Sequence, residues 1–354
     1  MKSLNIFLLG LLAFCFASCE RAFMEPDVPN DPVSVFDYLW NKVDQQYAFF
    51  DVKGVDWDSV YQVYRPKVND GDMHVDSLFK VCADMLNTLQ DGHTNLISKF
   101  DVSRNDSVYY RMYADRNINT EVVALNYLTV NYHTTGGFAH NAIRDGQVAY
   151  IRYSSFSDAI SSDNLSCLLE CYKDCKGMII DLRQNGGGSV DNIRKMLSIF
   201  DNHKQPLYQT QIKSGPGHDD FSELTTVYAE DMDYDDPFTE APYTKPVAVL
   251  IDRGSYSATS FFALCTMAYP NIRLFGDYTG GGLGLPNGGA LPNGWTYRFS
   301  ITRTLDLAGH NYENGVPPQE RVILDPACTA QGIDNVIETA ADWIVGGGDA
   351  IAAR

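Results

Sequence analysis

The sequence predicts an α/β layer fold preceded by a small helical part. Three observations predict it. Short apolar runs, "VAYIRYSSF" (148–156), "GMIIDLR" (177–183), "KPVAVLIDR" (245–253) and "IRLFGD" (272–277), alternate with stretches of helical periodicity. Two amphipathic helical patterns come before them, between residues 31 and 92. Glycines or hydroxyl residues crowd the ends of three of the apolar runs, where a layered α/β fold gathers its ligand-binding loops.

At the N-terminus, Lys2 precedes an apolar run from Leu8 to Ala17, too short for a stable membrane span. The ending Ala17-Ser18-Cys19 resembles a bacterial lipobox with Phe16 in place of the usual Leu. Residues 1–18 are therefore expected to be a signal peptide, Cys19 an acylated anchor, and 19–30 a tether holding the protein to an envelope membrane.

The helical part is expected over 31–95. Asp31 is placed to cap a helix whose first turn holds Pro32 and whose inner face carries Val35, Phe36, Leu39, Trp40 and Val43. The run "DSLFKVCADMLNTLQDG" predicts a second helix that stops at Gly92. Residues 96–147, rich in Tyr, Val, Thr and Asn, predict a β-rich connecting segment, and the Tyr-rich stretch from Val108 to His133 is expected to help hold substrate. The core is expected over 148–335, with a last helix, "DNVIETAADWIV", and tail completing 336–354.

Charge and cysteine usage narrow the function. With 27 Lys and Arg against 45 Asp and Glu, the net charge is −18, and no basic stripe exists to bind phosphates, so nucleic acid is not an expected partner. Cys167, Cys171 and Cys175 recur every four residues and read as small apolar residues on a buried helical stripe beside Leu168 and Leu169 rather than as a metal site.

The chemistry-bearing turns follow the apolar runs. "SYSATS" (255–260) puts four hydroxyl residues between a strand and a helix, "DLRQNGGGSVDN" (181–192) bends through three glycines, and "GDYTGGGLGLPNGG" (276–289) is a third flexible turn. Phosphate-loop readings fail, since no Lys-Ser/Thr pair follows Gly188 and the glycines at 280–289 lack dinucleotide spacing. An esterase elbow fails because Ser255, not Gly, stands two before Ser257. The hydroxyls and glycines remain as candidate nucleophile and oxyanion donors.

"DGHTNL" (91–96), "VAYIRYSSF", "DLRQNGGGS" (181–189), "VLIDRGSYSATSFFA" (249–263), "GDYTGGG" (276–282) and "YENGVPP" (312–318) occur in the order found in the tail-specific (C-terminal processing) serine peptidases and the tricorn core, and the chain resembles that family from about 31 to 335. The resemblance implies a Clp/crotonase-like core of stacked ββα units. It implies Ser257 as nucleophile, with Ser255, Thr259 and Ser260 capping or polarising the helix start. The N–H groups of Ala258 and of Gly187 or Gly188 would form the oxyanion hole, His93 would be the base and Glu313 would orient it.

Several departures sharpen these expectations. About fifty residues separate His93 from "VAYIRY", too few for the peptide-binding domain many relatives insert there. The Lys of the Ser/Lys branch is missing, because no Lys follows Lys245. Gly92 stands where the tricorn core has a relay serine, leaving Thr94, water or direct contact to orient the imidazole, and "NGVPPQ" lacks the Asp that commonly follows the Pro. The implied activity is hydrolysis of peptide or unfolded protein substrates without metal or organic cofactor. The alternative is an envelope lipoprotein on the same fold that only binds peptides or small ligands.

Overall fold

The computed structural model describes residues 28–69, 71, 73–105, 107, 108, 114, 116–200, 205–229 and 242–348. The expected signal peptide and Cys19 lie outside the described residues, as do the first part of the tether and the tail from 349.

Asp31 caps helix α1 (Pro32–Gln46), accepting the Ser34 N–H at 2.9 Å, and Pro32 occupies the first turn, where its missing donor costs nothing. Asp56 caps α2 (Trp57–Tyr64) in the same way through Ser59. Trp40 and Trp57 stack, and each indole N–H donates to the other's backbone carbonyl, so a buried and a half-buried indole pack without an orphaned donor. Helix α3 (Val75–Asn87) buries Leu78, Phe79, Cys82, Met85 and Leu86.

This helix ends at Asn87, short of the expected stop at Gly92. The Thr88 hydroxyl folds back onto the Met85 carbonyl at 2.7 Å, and Gln90 takes a left-handed φ of 48°, which no helix tolerates. The freed residues become the loop that carries His93.

The helical part is not closed by residues 31–95 alone. Its core takes in Leu291, Trp295, Tyr297 and Phe299. These belong to a hairpin of β10 (Pro286–Ala290) and β11 (Thr296–Ser300), which β1 (Asn95–Ile97) extends into a three-stranded sheet of order β1-β11-β10. The packing unit is discontinuous because the helices' apolar faces need a lid that their own segment lacks.

The main layer is a seven-stranded sheet of order β13-β9-β8-β5-β4-β3-β2. It comprises β2 (His133–Thr135), β3 (Phe138–Ile143), β4 (Val148–Tyr153), β5 (Gly177–Asp181), β8 (Val247–Ile251), β9 (Ile272–Gly276) and β13 (Glu320–Arg321). Strands β4, β5, β8, β9 and β13 run parallel, and β2–β3–β4 is an antiparallel meander. On one face Ile180, Val249, Ile251 and Leu274 meet α4 (Ser162–Cys171), α5 (Val190–Ser198) and α6 (Ala258–Thr266). On the other, Ile179, Ala248, Leu250 and Phe275 meet α7 (Asn335–Val345). Burial of both faces explains why these strands read as continuous apolar runs. Each fully buried Val, Leu or Ile contributes about 1.5–3 kcal/mol. The fold is thus the mixed α/β layer with an N-terminal helical region. A smaller sheet, β12 (Thr302–Leu305), β6 (Pro206–Ile212) and β7 (Thr225–Tyr228), flanks it.

Two expectations are corrected. Cys167 and Cys171 are exposed and only Cys175 is buried; Leu165 and Leu168 form the inner face of α4, so Cys167 and Cys171 stack on a different face, while Cys175 lies beyond the helix end. In the connecting segment, Thr120–Val122 is helical and runs into a π-helical turn, Val123–Leu128, rather than a strand. Tyr127 there is buried, its hydroxyl donating to Glu338 at 2.8 Å, and so serves the core.

Candidate active site

Because β5, β8 and β9 are parallel, their C-terminal ends deliver the loops 182–188, 252–257 and 277–284 to one edge of the sheet. Buried side chains then lock these loops together. Asn185 shapes the glycine turn: its Oδ1 accepts from the N–H groups of Phe156 and Gly187 at 3.3 and 3.0 Å, and its Nδ2 donates to the Tyr153 carbonyl. Asp252 accepts from the backbone of Gln184 and Gly254 and from the Gln184 amide. The four hydroxyls of "SYSATS" separate by role. Ser255 donates to the Leu182 carbonyl, Thr259 to the Asn185 carbonyl and Ser260 to the Ser255 carbonyl, all fully buried. Ser257 bonds none of these loops through its side chain. Its Oγ meets His93 Nε2 at 2.9 Å, joining residues 164 apart in sequence.

Ser257 sits at the N-terminus of α6 with φ 56° and ψ −118°, a conformation that costs a non-glycine residue roughly 1–3 kcal/mol. The strain is held by the Ser257 N–H on the Gly281 carbonyl at 2.9 Å and by the Tyr256 N–H on the Asn185 carbonyl at 3.0 Å. Next to it, the N–H of Ala258, at the start of the helix, has no acceptor among the described residues. The N–H of Gly188 has none either. Gly187 differs: its N–H is spent on Asn185, so of the two glycines expected as oxyanion donors only Gly188 keeps a free one. Gly187 contributes shape, since its φ is 99° and a Cβ there would lie 3.0 Å from the Ala258 nitrogen.

His93 is 8% exposed, on the loop after α3. Asp91, 1% exposed, accepts the His93 backbone N–H at 2.7 Å through Oδ1 and the Ser300 hydroxyl at 2.8 Å through Oδ2. Burial pushes the imidazole below its ordinary value; Asp91 and a hydrogen bond with the Gly284 backbone oppose that shift, while Arg298 and Lys53 add to it. The net shift favours the neutral ring, the form a base needs. The Thr94 hydroxyl is buried without a hydrogen-bond partner among the described residues, while the imidazole also lies against the Gly284 backbone, the Tyr47 hydroxyl against Asp91 and the Tyr256 hydroxyl against the Gly92 backbone.

Glu313 is buried in the same region but bonds elsewhere. Its Oε2 accepts the N–H groups of Leu283 and Gly284 at 2.8 and 3.1 Å, and its Oε1 lies 3.6 Å from Lys53 Nζ. No hydrogen bond joins it to His93 among the described residues; it holds the backbone segment 283–284 beside the ring. Burial, then the charge of Asp91, raises its pKa to about 8, although Lys53 and the two N–H groups pull the other way. A serine at position 92 has no room: a Cβ on Gly92 would lie 2.7 Å from the Tyr256 hydroxyl. Asp91 and Tyr256 were not among the residues expected from sequence; their signal was adjacency, one two residues before His93 and the other immediately before Ser257.

A profile of the Tricorn protease C1 domain matches residues 29–87, and one of peptidase family S41 matches 147–322. The crystal structure of a candidate peptidase from Parabacteroides merdae superposes with a TM-score of 0.82 at 37% identity, covering 91% of this chain and 99% of that one. The chain belongs to peptidase family S41. The ordered motifs of the sequence imply the same family. Two further S41-like relatives are the carboxy-terminal processing proteases CtpA and CtpB of Bacillus subtilis, 25% identical over 188 residues and 27% over 195, about half of this chain in each case (52% and 50%). This chain spans only 37% of the length of either relative. Within the S41 frame, the described residues between 95 and 147 join the two sheets already present, through β1, β2 and β3, rather than a separate peptide-binding module.

Proposed function

We propose that this chain is a serine peptidase that hydrolyses peptide bonds through an acyl-enzyme on Ser257. The observation that carries the reading is the 2.9 Å contact between Ser257 Oγ and His93 Nε2, beside two N–H groups with no acceptor among the described residues. A serine hydroxyl is a weak nucleophile until a base takes its proton, and a neutral imidazole at hydrogen-bond distance is positioned to take it. Ser257 Oγ attacks the substrate carbonyl carbon while its proton passes to His93 Nε2. The resulting oxyanion is received by the N–H groups of Ala258 and Gly188, each worth about 3 kcal/mol in the transition state. His93 then gives the proton to the leaving amine, and water repeats the sequence to release the acid.

The similarity of this chain to two carboxy-terminal processing proteases supports polypeptide substrates. The sequence ending at Ala17-Ser18-Cys19 supports export and anchoring through an acylated Cys19. Mass spectrometry of the membrane fraction should find the mature chain beginning at acylated Cys19; an unmodified start elsewhere would reject the anchor. For the chemistry, a fluorophosphonate probe should label the wild-type protein and fail on Ser257→Ala. Wild-type protein that neither takes the label nor cleaves an unfolded polypeptide would instead fit the ligand-binding alternative.

A further inference from the structure

We propose that Arg298 is a specificity residue of this site, taking a carboxylate that the polypeptide substrate carries close to the cleaved bond. The inference rests on Ser257 and His93 being the reactive pair, and it deepens that reading by naming a feature of the substrate.

Strand β11 brings Arg298 to the site. Tyr297 and Phe299 leave one face of the strand for the core of the helical part, so Arg298 and Ser300 leave by the other. At its inner end that face reaches the loop of the base, where the buried Ser300 hydroxyl donates to Asp91, two residues before His93. At its outer end Arg298 is exposed and pairs across the sheet with Asn95, two residues after His93. The same face of β11 thus brackets the histidine. Burial leads the shifts of His93 and Tyr256, and Arg298 acts on both, adding to the lowering of the imidazole and opposing the rise of the phenol, as a cation at the mouth of the site does.

The guanidinium is aimed but not spent. Asn95 donates through Nδ2 to the Ser103 carbonyl at 2.9 Å, and its Oδ1 accepts from Arg298 Nε at 2.7 Å. One nitrogen therefore holds the group in place, while Nη1 and Nη2 have no hydrogen-bond or ion-pair partner among the described residues. The chain carries a net charge of −18, and Arg144, Arg183, Arg303 and Arg321 each hold an acid; Arg298 holds none. Gly288 lies opposite it on β10, where a Cβ would stand 3.3 Å from the Arg298 Cβ, so the missing side chain leaves that flank open. A planar guanidinium with two free nitrogens matches the two oxygens of a carboxylate.

The test uses peptides of one cleavable sequence taken from a digest of an unfolded polypeptide. Positions on either side of the cleaved bond are filled in turn with Glu or Gln, and each peptide ends in a free acid or an amide, which separates a side-chain carboxylate from a chain end. Wild-type protein should favour a carboxylate over its amide by about 5-fold in kcat/KM, chiefly through KM. In Arg298→Gln that preference should vanish, and in Arg298→Glu it should invert. Asn95→Ala, which releases the guanidinium, should shrink the preference, and serves if the Arg298 variants do not fold. Binding of the same peptides, fluorescently labelled, to Ser257→Ala protein should show the preference without turnover, so this inference and the peptidase reading fail separately. A wild-type protein indifferent to every Glu–Gln and acid–amide exchange, or a preference that survives Arg298→Gln, overturns the proposal.

Discussion

At the end of β5, Arg183 is fully buried and each of its guanidinium nitrogens donates a hydrogen bond. Its Nε and Nη2 donate to the two oxygens of Asp181 at 3.0 and 2.6 Å, and its Nη1 to Asp334 at 2.9 Å and to the Asn117 carbonyl at 2.8 Å. Asp334 in turn caps α7, so this network bolts the last helix onto the sheet. Around the serine, the group of Asp91, His93, Tyr47, Tyr256 and Glu313 is also buried, yet it adjoins the N–H groups of Ala258 and Gly188, which have no acceptor among the described residues. A buried polar network built for stability satisfies its members. One that leaves groups free beside a strained serine keeps them for chemistry, and the cost falls on stability.

The widest separation between the two regions should appear on removing one group from each. Ser257→Ala is expected to reduce peptide hydrolysis by about 10⁴-fold or more, with His93→Ala similar, while neither lowers thermal stability appreciably. Kinetics alongside a melting curve checks both halves. Arg183→Met should do the opposite, leaving Asp334 without its cation and Asp181 with only Arg152, 3.5 Å away. A loss of about 3–5 kcal/mol is expected, read by urea denaturation.

The pH dependence of stability should carry opposite signs in the two networks. Burial alone would raise Asp181, but Arg183 and Arg152 override it and hold its pKa at about 2, below the usual 3.8. That stabilisation is present above pH 4 and is lost as the pH falls toward 2. Glu313 is raised from 4.5 to about 8, so its neutral form favours folding; the contribution is full below pH 4.5 and drains away as the pH rises through 8. Denaturation across this range should show a decline between pH 5 and 8 that Glu313→Gln removes; a decline unchanged in that variant would count against the assignment.

The smallest effect is expected from Lys245→Ala. Lys245 Nζ donates to the Cys175 carbonyl at 2.7 Å and to that of Lys173, on the helical layer rather than at the serine. The variant should keep most of its activity and lose under about 1 kcal/mol of stability. A collapse of kcat there would restore a Ser/Lys reading.

The sequence by itself determined the layers and the turns. Strands β5, β8 and β9 are apolar on both faces, Asp31 and Pro32 mark the first helix, and the glycine and hydroxyl clusters mark the strand ends, because periodicity, capping and turn chemistry are local properties. Ser257 and His93 were legible only through the order of motifs resembling a known family. The tertiary structure alone decided the rest. Gly187 loses its N–H to Asn185, Gly92 yields its side-chain space to Tyr256, and Glu313 turns to Lys53 and the 283–284 backbone while Asp91 accepts the His93 backbone N–H. Apart from the Asn185 bond, these outcomes depend on distances of a few tenths of an ångström between segments far apart in the chain. Asp91 itself lies two residues from His93, but its second oxygen is aimed by Ser300, 209 residues away. No local pattern encodes such a distance; it is fixed when the helical part, the hairpin and the sheet pack together.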